Sequence, residues 1–97
     1  MTSRADVATA DPVRYMKQLC RHFGHKQDAT FNDQTGRIRF EFGVCDLAAE
    51  RDRLALVVNA DDEERLERME RVVGSHLERF GFRDEVTVSW QRVAPAA

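Results

Sequence analysis

Short runs within residues 29–58 carry apolar side chains at every second position, and this pattern most constrains the fold. In the run 37–42, Ile38, Phe40 and Phe42 share one parity and charged residues occupy the other, whereas the run 54–58 is apolar on both. Such alternation is typical of β-strands with one buried face. Four strands are predicted. The first begins with Ala29 and Phe31, and the other three span 37–42, 44–48 and 54–58. Because the turns between them are short, we predict an antiparallel meander.

An amphipathic helix is predicted on each side of this meander. Asp11 as N-cap and Pro12 at the first helical position begin the first helix, and Gly24 ends it. Its apolar stripe consists of Val13, Met16, Leu19, Cys20 and Phe23. Asp61 and Glu64 have capping-box spacing at the start of the second helix, which ends at Gly81. The inner stripe of this helix consists of Leu66, Met69, Val72, Val73, Leu77 and Phe80.

Two further segments complete the predicted order (β)-α-β-β-β-β-α-β. Residues 3–10 are interpreted as a short edge strand, and Val86, Val88 and Trp90 alternate in a final strand before a tail at 93–97. We predict one α+β domain, ordered over 3–92, in which both helices pack on one face of an antiparallel sheet. The other face is polar and serves as a solvated, ligand or partner surface; it carries Arg37, Arg39, Glu41, Asn59, Thr87 and Ser89.

Charge and composition narrow the class of protein. The net charge of −2 argues against generic nucleic-acid binding, which depends on neutralising phosphates. The first residues form no apolar signal segment and no spanning stretch follows, so we expect neither secretion nor membrane insertion. Two cysteines in such a chain are expected to be reduced thiols of a cytoplasmic protein.

The run 15–26 concentrates the unusual side chains, with both lysines, one of the two cysteines and two of the three histidines. Cys20, His22 and His25 have a spacing reminiscent of metal ligands, but Cys20 and His22 lie about 200° apart around a helix. Cys20 is therefore interpreted as a core residue. Cys45 is predicted to point inward and Asp46 outward, and a disulfide between the cysteines requires Cα atoms within about 7 Å.

The histidines have two interpretations each. His22 on the helix flank and His25 past Gly24 are either solvated or part of a site, and His76 in the inner stripe is either a hydrogen-bonded core residue or a ligand. The three histidines form a weak candidate metal site, and the sequence identifies no particular cofactor. No phosphate-binding glycine loop, nucleophile elbow or zincin motif is present, so an enzyme is the least favoured class.

Four stretches of the chain carry a family resemblance: 11–26, which reads DPVRYMKQLCRHFGHK, together with 36–38, 43–47 and 74–83. They resemble a small bacterial family known as domain of unknown function 2218. The resemblance implies an association with siderophore-interacting flavin reductases, and hence with bacterial iron handling. It implies no reductase activity, because the chain has no flavin or NAD module. The element order is also similar to that of TATA-binding-protein-like domains.

We therefore predict a non-catalytic cytoplasmic binding or accessory domain, linked to iron or siderophore metabolism. The predicted ligand site consists of Lys17, His22, His25, Lys26 and His76. Lysine and protonated histidine favour an anionic small ligand through charge-assisted hydrogen bonds. The partner is then such a ligand or a siderophore-related protein. The alternative is a homodimeric protein–protein interaction module without a small ligand, which uses the sheet edges or the open sheet face.

Overall fold

A computed structural model describes residues 1–93 of the protein, so residues 94–97 of the predicted tail lie outside the described part. Residues 1–93 form six strands, two α-helices and a short 3₁₀ turn. In chain order they are β1 (Thr2–Ala8), α1 (Pro12–Phe23), β2 (Asp28–Phe31), β3 (Thr35–Phe40), β4 (Gly43–Glu50), β5 (Arg53–Asn59), α2 (Glu63–Phe80), the 3₁₀ turn (Phe82–Asp84) and β6 (Gln91–Val93). The predicted element order and the α+β class are confirmed.

The six strands form one antiparallel sheet in the order β2-β3-β4-β5-β1-β6. The predicted meander from β2 to β5 is confirmed. The interpretation of the first segment as an edge strand is wrong, because β1 pairs with β5 along its whole length and with β6 on its other side. A local alternating pattern reports which face of a strand is buried, but it carries no information on the neighbours of that strand.

Both helices pack on one face of this sheet, and the core lies between the two layers. The largest fully buried side chains there are Tyr15, Met16, Leu19, Ile38, Leu54, Leu56, Leu66, Met69, Leu77, Val7, Val58 and Val73. Val13 was expected in the inner stripe of α1 but is 38% exposed. The buried stripe is rotated toward Tyr15, which the apolar pattern left out because its hydroxyl is polar.

The helix starts differ from the predicted caps. Asp62, not Asp61, is the N-cap of α2, and its carboxylate accepts the backbone N–H of Arg65 at 2.8 Å. The predicted capping box is therefore wrong by one residue. Asp11 stands at the N-cap of α1, but its side chain makes no capping hydrogen bond.

The alternation at 86–90 arises from packing, and the prediction of a strand there is wrong. Regular pairing starts only at Gln91, where β6 begins. Val86 is buried, and Val88 and Trp90 are partly buried against the core. The backbone N–H of Val88 bonds to the carboxylate of Glu78 at 2.9 Å, which ties this extended segment to α2 instead of to a neighbouring strand.

Candidate functional site

The ends of the two helices meet through aromatic and imidazole rings. The ring centroids of His22 and His76 lie 5.0 Å apart, and those of His22 and Phe80 lie 5.3 Å apart. Phe23 packs edge-on against His76 at 4.9 Å. The sequence echo between His22-Phe23-Gly24 and Arg79-Phe80-Gly81 thus marks two helix ends that contact each other.

His76 is oriented by its own helix. Its Nδ1 lies 2.7 Å from the carbonyl oxygen of Val72, one turn earlier. A carbonyl only accepts hydrogen bonds, so Nδ1 carries the hydrogen. In the neutral ring Nε2 is then an unprotonated acceptor, and on protonation it becomes a second donor. The half-buried histidine predicted in the inner stripe of α2 therefore has a backbone partner and one nitrogen left for other chemistry.

Positive charge gathers around His22. Desolvation of its ring by the neighbouring rings, and after it the nearby positive charges of His76, His25 and Arg79, lower the pKa of His22 below its ordinary value of 6.5. Like charges disfavour the protonated form of a histidine. The positive charges that disfavour protonation of His22 also attract an anion to this place.

The remaining predicted site residues lie in two places. His25 and Lys26 are exposed in the turn that follows Gly24. Lys17 lies on another flank of α1, where its Nζ is 2.6 Å from the carboxylate of Asp33 in the β2–β3 turn. The structure thus brings His22 and His76 into contact and places the positive charge of His25 near them, but it does not bring Lys17 to this group.

The described part of the chain was also searched for metal ligands and reactive thiols. Among residues 1–93, no group of three or more histidine, cysteine, aspartate or glutamate side chains is arranged to hold a metal ion. Cys20 and Cys45 are both buried free thiols, with Cys20 in the core as predicted. Burial raises the pKa of Cys20 to about 11 and raises that of Cys45 as well. Neither thiol is a ready nucleophile or metal ligand.

A cleft of about 480 Å³ opens beside the histidine pair, between α1 and the 3₁₀ turn; we call it the arginine cleft. It is lined by Arg14, Gln18, Arg79, Phe80, Phe82, Arg83 and Asp84. Arg14 is already ion-paired with the carboxylate of Asp84 at 3.1 Å, and it also donates a hydrogen bond of 2.9 Å to the hydroxyl of Tyr15. Within residues 1–93, no carboxylate lies within ion-pair distance of Arg79 or Arg83.

The site predicted from the sequence does not include Arg79, Phe82 or Arg83. A signal for all three was present: 79–83 reads RFGFR, with an arginine at each end and a phenylalanine next to each arginine. At Gly81 the helix gives way to the 3₁₀ turn, and Arg79 and Arg83 line the same cleft on either side of it. The run was interpreted only as a helix end.

A second, larger cleft lies on the sheet face opposite the helices. It measures about 940 Å³, and we call it the open-face cleft. Thr30, Arg37, Asp46, Val57 and Arg4 are register partners in one row across it. Size alone favours this cleft as a ligand site. Its charges, however, are already paired.

Three ion pairs neutralise the residues along the open-face cleft and beside it. They are Arg37–Asp46 at 2.6 Å, Arg4–Asp6 at 3.2 Å and Arg53–Glu50 at 3.0 Å. Three of the six residues predicted for the polar face, Arg37, Arg39 and Asn59, lie on strands. Thr87 and Ser89 are not on the sheet, because residues 86–90 form no strand, and Glu41 lies in the β3–β4 turn. Because Arg79 and Arg83 lack such partners, the helix-end site is the stronger candidate for an anion.

The chain was compared with known proteins. A family model described as "Uncharacterized protein conserved in bacteria (DUF2218)" matches residues 4–91. The NMR structure of PA4090 from Pseudomonas aeruginosa is similar, with 33% sequence identity, a TM-score of 0.78, and coverage of 93% of this chain and 94% of that chain. No curated protein matches significantly. Neither helix within residues 1–93 has the length and apolarity needed to cross a membrane.

Proposed function

Because the chain belongs to the uncharacterised bacterial family DUF2218, we propose a function from its own geometry: a non-catalytic domain that binds a small anionic ligand at the joined helix ends. The single observation that carries this proposal is the contact between His22 and His76, whose rings lie 5.0 Å apart. Two groups that gain positive charge on protonation are held together at a surface, and an anion placed between them lowers the cost of charging both.

The residues have different roles in this proposal. His76 offers Nε2, since its Nδ1 is held by Val72. His22, His25 and Lys26 supply further donors from the end of α1 and the turn that follows. Charge-assisted hydrogen bonds from such groups to an oxyanion are about twice as strong as neutral ones. Lys17 lies on another flank of α1, where the carboxylate of Asp33 offsets its charge, so we leave it out of the proposed site.

We assign the ligand to bacterial iron or siderophore metabolism, in the cytoplasm. The family resemblance carried by 11–26 and 74–83 supports this assignment. Siderophores and their iron complexes present carboxylate or catecholate oxygens, and these are the groups that imidazolium and ammonium donors bind. A domain with such a site serves as a carrier of the ligand or as an accessory to an enzyme that acts on it.

A thermal-shift screen tests this function. Carboxylate and catecholate siderophores, each with and without iron, are added to the unmodified protein and to a His22→Ala, His25→Ala double variant. A ligand that binds the folded state raises the melting temperature. We expect at least one siderophore to raise it for the unmodified protein and much less for the double variant. Equal shifts in both proteins would reject the site, and no shift with any siderophore would reject the ligand class.

The second candidate function is a homodimeric interaction module without a small ligand. The open-face cleft favours this function, because the ion pairs Arg37–Asp46 and Arg4–Asp6 place both positive and negative side chains on one face. In a dimer with a two-fold axis, the positive side chains of one copy can face the negative side chains of the other. Sedimentation velocity over a hundredfold range of concentration distinguishes the two functions. A dimer at every concentration, lost in Asp46→Lys, supports the module, whereas a monomer throughout excludes it.

A further inference from the structure

We infer that the arginine cleft binds a planar aromatic carboxylate, with Arg79 and Arg83 holding the carboxylate and Phe82 packing against the ring. This inference rests on the proposed anion-binding function and assigns the chemical class of the ligand. The cleft, of about 480 Å³, lies within the size range of small-molecule sites.

The anionic part of the ligand follows from the arginines. Three arginines line the cleft, and only Arg14 is paired there, with Asp84. Arg79 and Arg83 have no carboxylate within ion-pair distance in the described part of the chain. A guanidinium fork matches a carboxylate with two parallel hydrogen bonds, and the amide of Gln18 adds a neutral donor at the same wall. A carboxylate fits these donors better than a lone cation or a neutral ligand would.

The aromatic part follows from Phe82. This side chain is 80% exposed, the highest fraction among the exposed large hydrophobic residues of the described chain. It stands in the 3₁₀ turn between the two unpaired arginines, at the rim of the cleft. An exposed phenylalanine gains free energy when a flat apolar surface covers it, and ring–ring contacts add to that gain. A ligand ring beside its own carboxylate meets Phe82 and the arginines at once.

The histidine pair and the arginine cleft form one continuous surface. Phe80 lines the cleft and also packs against His22, with ring centroids 5.3 Å apart. Arg79 lines the cleft and is among the charges that act on His22. A carboxylate bound to Arg79 offsets that positive charge, so protonation of His22 becomes easier in the complex. His22 therefore reports on the charge of a ligand that need not touch it.

Benzoate is the probe that tests this site, followed by NMR titration of the ¹⁵N-labelled protein. We expect saturable shifts of the amides of 79–83 and a rise in the pKa of His22. Benzamide, the neutral isostere, and acetate, the anion without a ring, should each bind at least tenfold more weakly, because each lacks one of the two contacts. Arg79→Gln with Arg83→Gln should reduce benzoate affinity by about tenfold or more, since charge-assisted hydrogen bonds are lost.

Two variants complete the design. Arg51→Gln, in the exposed β4–β5 turn, is the matched control and should bind benzoate like the unmodified protein. His22→Ala separates this inference from the proposed function: benzoate binding that survives His22→Ala but not the double arginine change upholds the cleft and removes the histidines from the ligand site. Benzamide binding as tightly as benzoate, unchanged binding in the double arginine variant, or no saturable shift with benzoate would each overturn the inference.

Discussion

Ser3, fully buried in β1, donates a hydrogen bond of 2.6 Å to the carboxylate of Glu70 in α2. The same carboxylate accepts two hydrogen bonds of 3.0 Å from Arg92 in β6. One glutamate therefore joins the first strand, the second helix and the last strand. The hydrogen bonds from Arg92, and to a smaller extent the one from Ser3, lower the pKa of Glu70 below its ordinary value of 4.5, against the opposing effect of burial.

This arrangement predicts a specific loss of stability in acid. Because the pKa of Glu70 is lower in the folded state, the unfolded chain binds more protons below about pH 4.5, and the stabilisation present above that pH is lost as the pH falls. We expect Glu70→Gln to lower the midpoint of urea unfolding at pH 7. The midpoints at pH 7 and pH 3.5 should then differ less than they do in the unmodified protein. Glu41→Gln, in an exposed turn, is the control; an equal narrowing there would contradict the assignment.

The histidine pair predicts a depressed titration. The pKa of His22 is lowered first by desolvation of its ring and then by the charge of His76, so the folded state resists protonation and loses stability as the pH falls below about 6.5. NMR titration of the ring Cε1 proton of His22 should give a midpoint below that value. His76→Gln removes a neighbouring cation and should move the midpoint upward. An unchanged midpoint in His76→Gln would show that the two rings are not coupled.

The thiols are expected to be inert in the native protein. Cys45 is fully buried and burial raises the pKa of Cys20 to about 11, so very little thiolate forms at pH 7.5. Ellman's reagent should react with neither cysteine until urea unfolds the chain, and then with both. Rapid reaction of one equivalent without urea would mean that a core thiol is accessible, and Cys20→Ala and Cys45→Ala would identify which one.

The cap of α2 offers a test with a built-in control. Asp62 accepts the N–H of Arg65, whereas Asp61 lies one residue outside the helix start. Asp62→Ala should cost about 1 kcal/mol of unfolding free energy, a common effect of losing an N-cap side chain. Asp61→Ala should cost clearly less in the same urea denaturation. The reverse order of the two losses would restore Asp61 as the cap.

Because Gly74 contacts Trp90, we predict that the effect of Gly74→Ala on stability has opposite signs with and without Trp90. A Cβ at Gly74 would lie 2.9 Å from Nε1 of Trp90, which is too close without a shift. Gly74→Ala should therefore destabilise the unmodified protein. In a Trp90→Ala background the clash is absent, and the same change should stabilise by about 1 kcal/mol through helix propensity. Equal effects in both backgrounds, measured as a double-mutant cycle, would place Trp90 away from the helix.

Local pattern was sufficient for most of the fold. Strand alternation and helical stripes have periods that the sequence displays directly, so the meander, both helices and the buried Cys20 were predicted. The position of β1 between β5 and β6 was not, because pairing between distant segments leaves no local mark. The cap was misplaced because Asp61 and Asp62 carry the same side chain, and the choice between them depends on backbone angles.

The candidate site was only partly accessible from sequence. Helical phase separated His22 from Cys20, and His76 was the partner that the inner stripe of α2 offered. Lys17 was grouped with the histidines because it is near them in sequence, although its ion pair with Asp33 holds it on another flank. Arg83 and Phe82 were missed because their role depends on how the 3₁₀ turn folds back beside α1.

The place of β1 in the sheet has a consequence during synthesis. The residues of β1 leave the ribosome well before their partners in β5 and β6, since Thr2 lies opposite both Asn59 and Val93. Such long-range pairing slows folding, so β1 stays unpaired while the meander closes. Arg4 and Asp6 alternate with its apolar residues, and charges placed in this way discourage an open strand from pairing with other chains. We therefore expect Arg4 and Asp6 to protect β1 from aggregation until its partner strands are made.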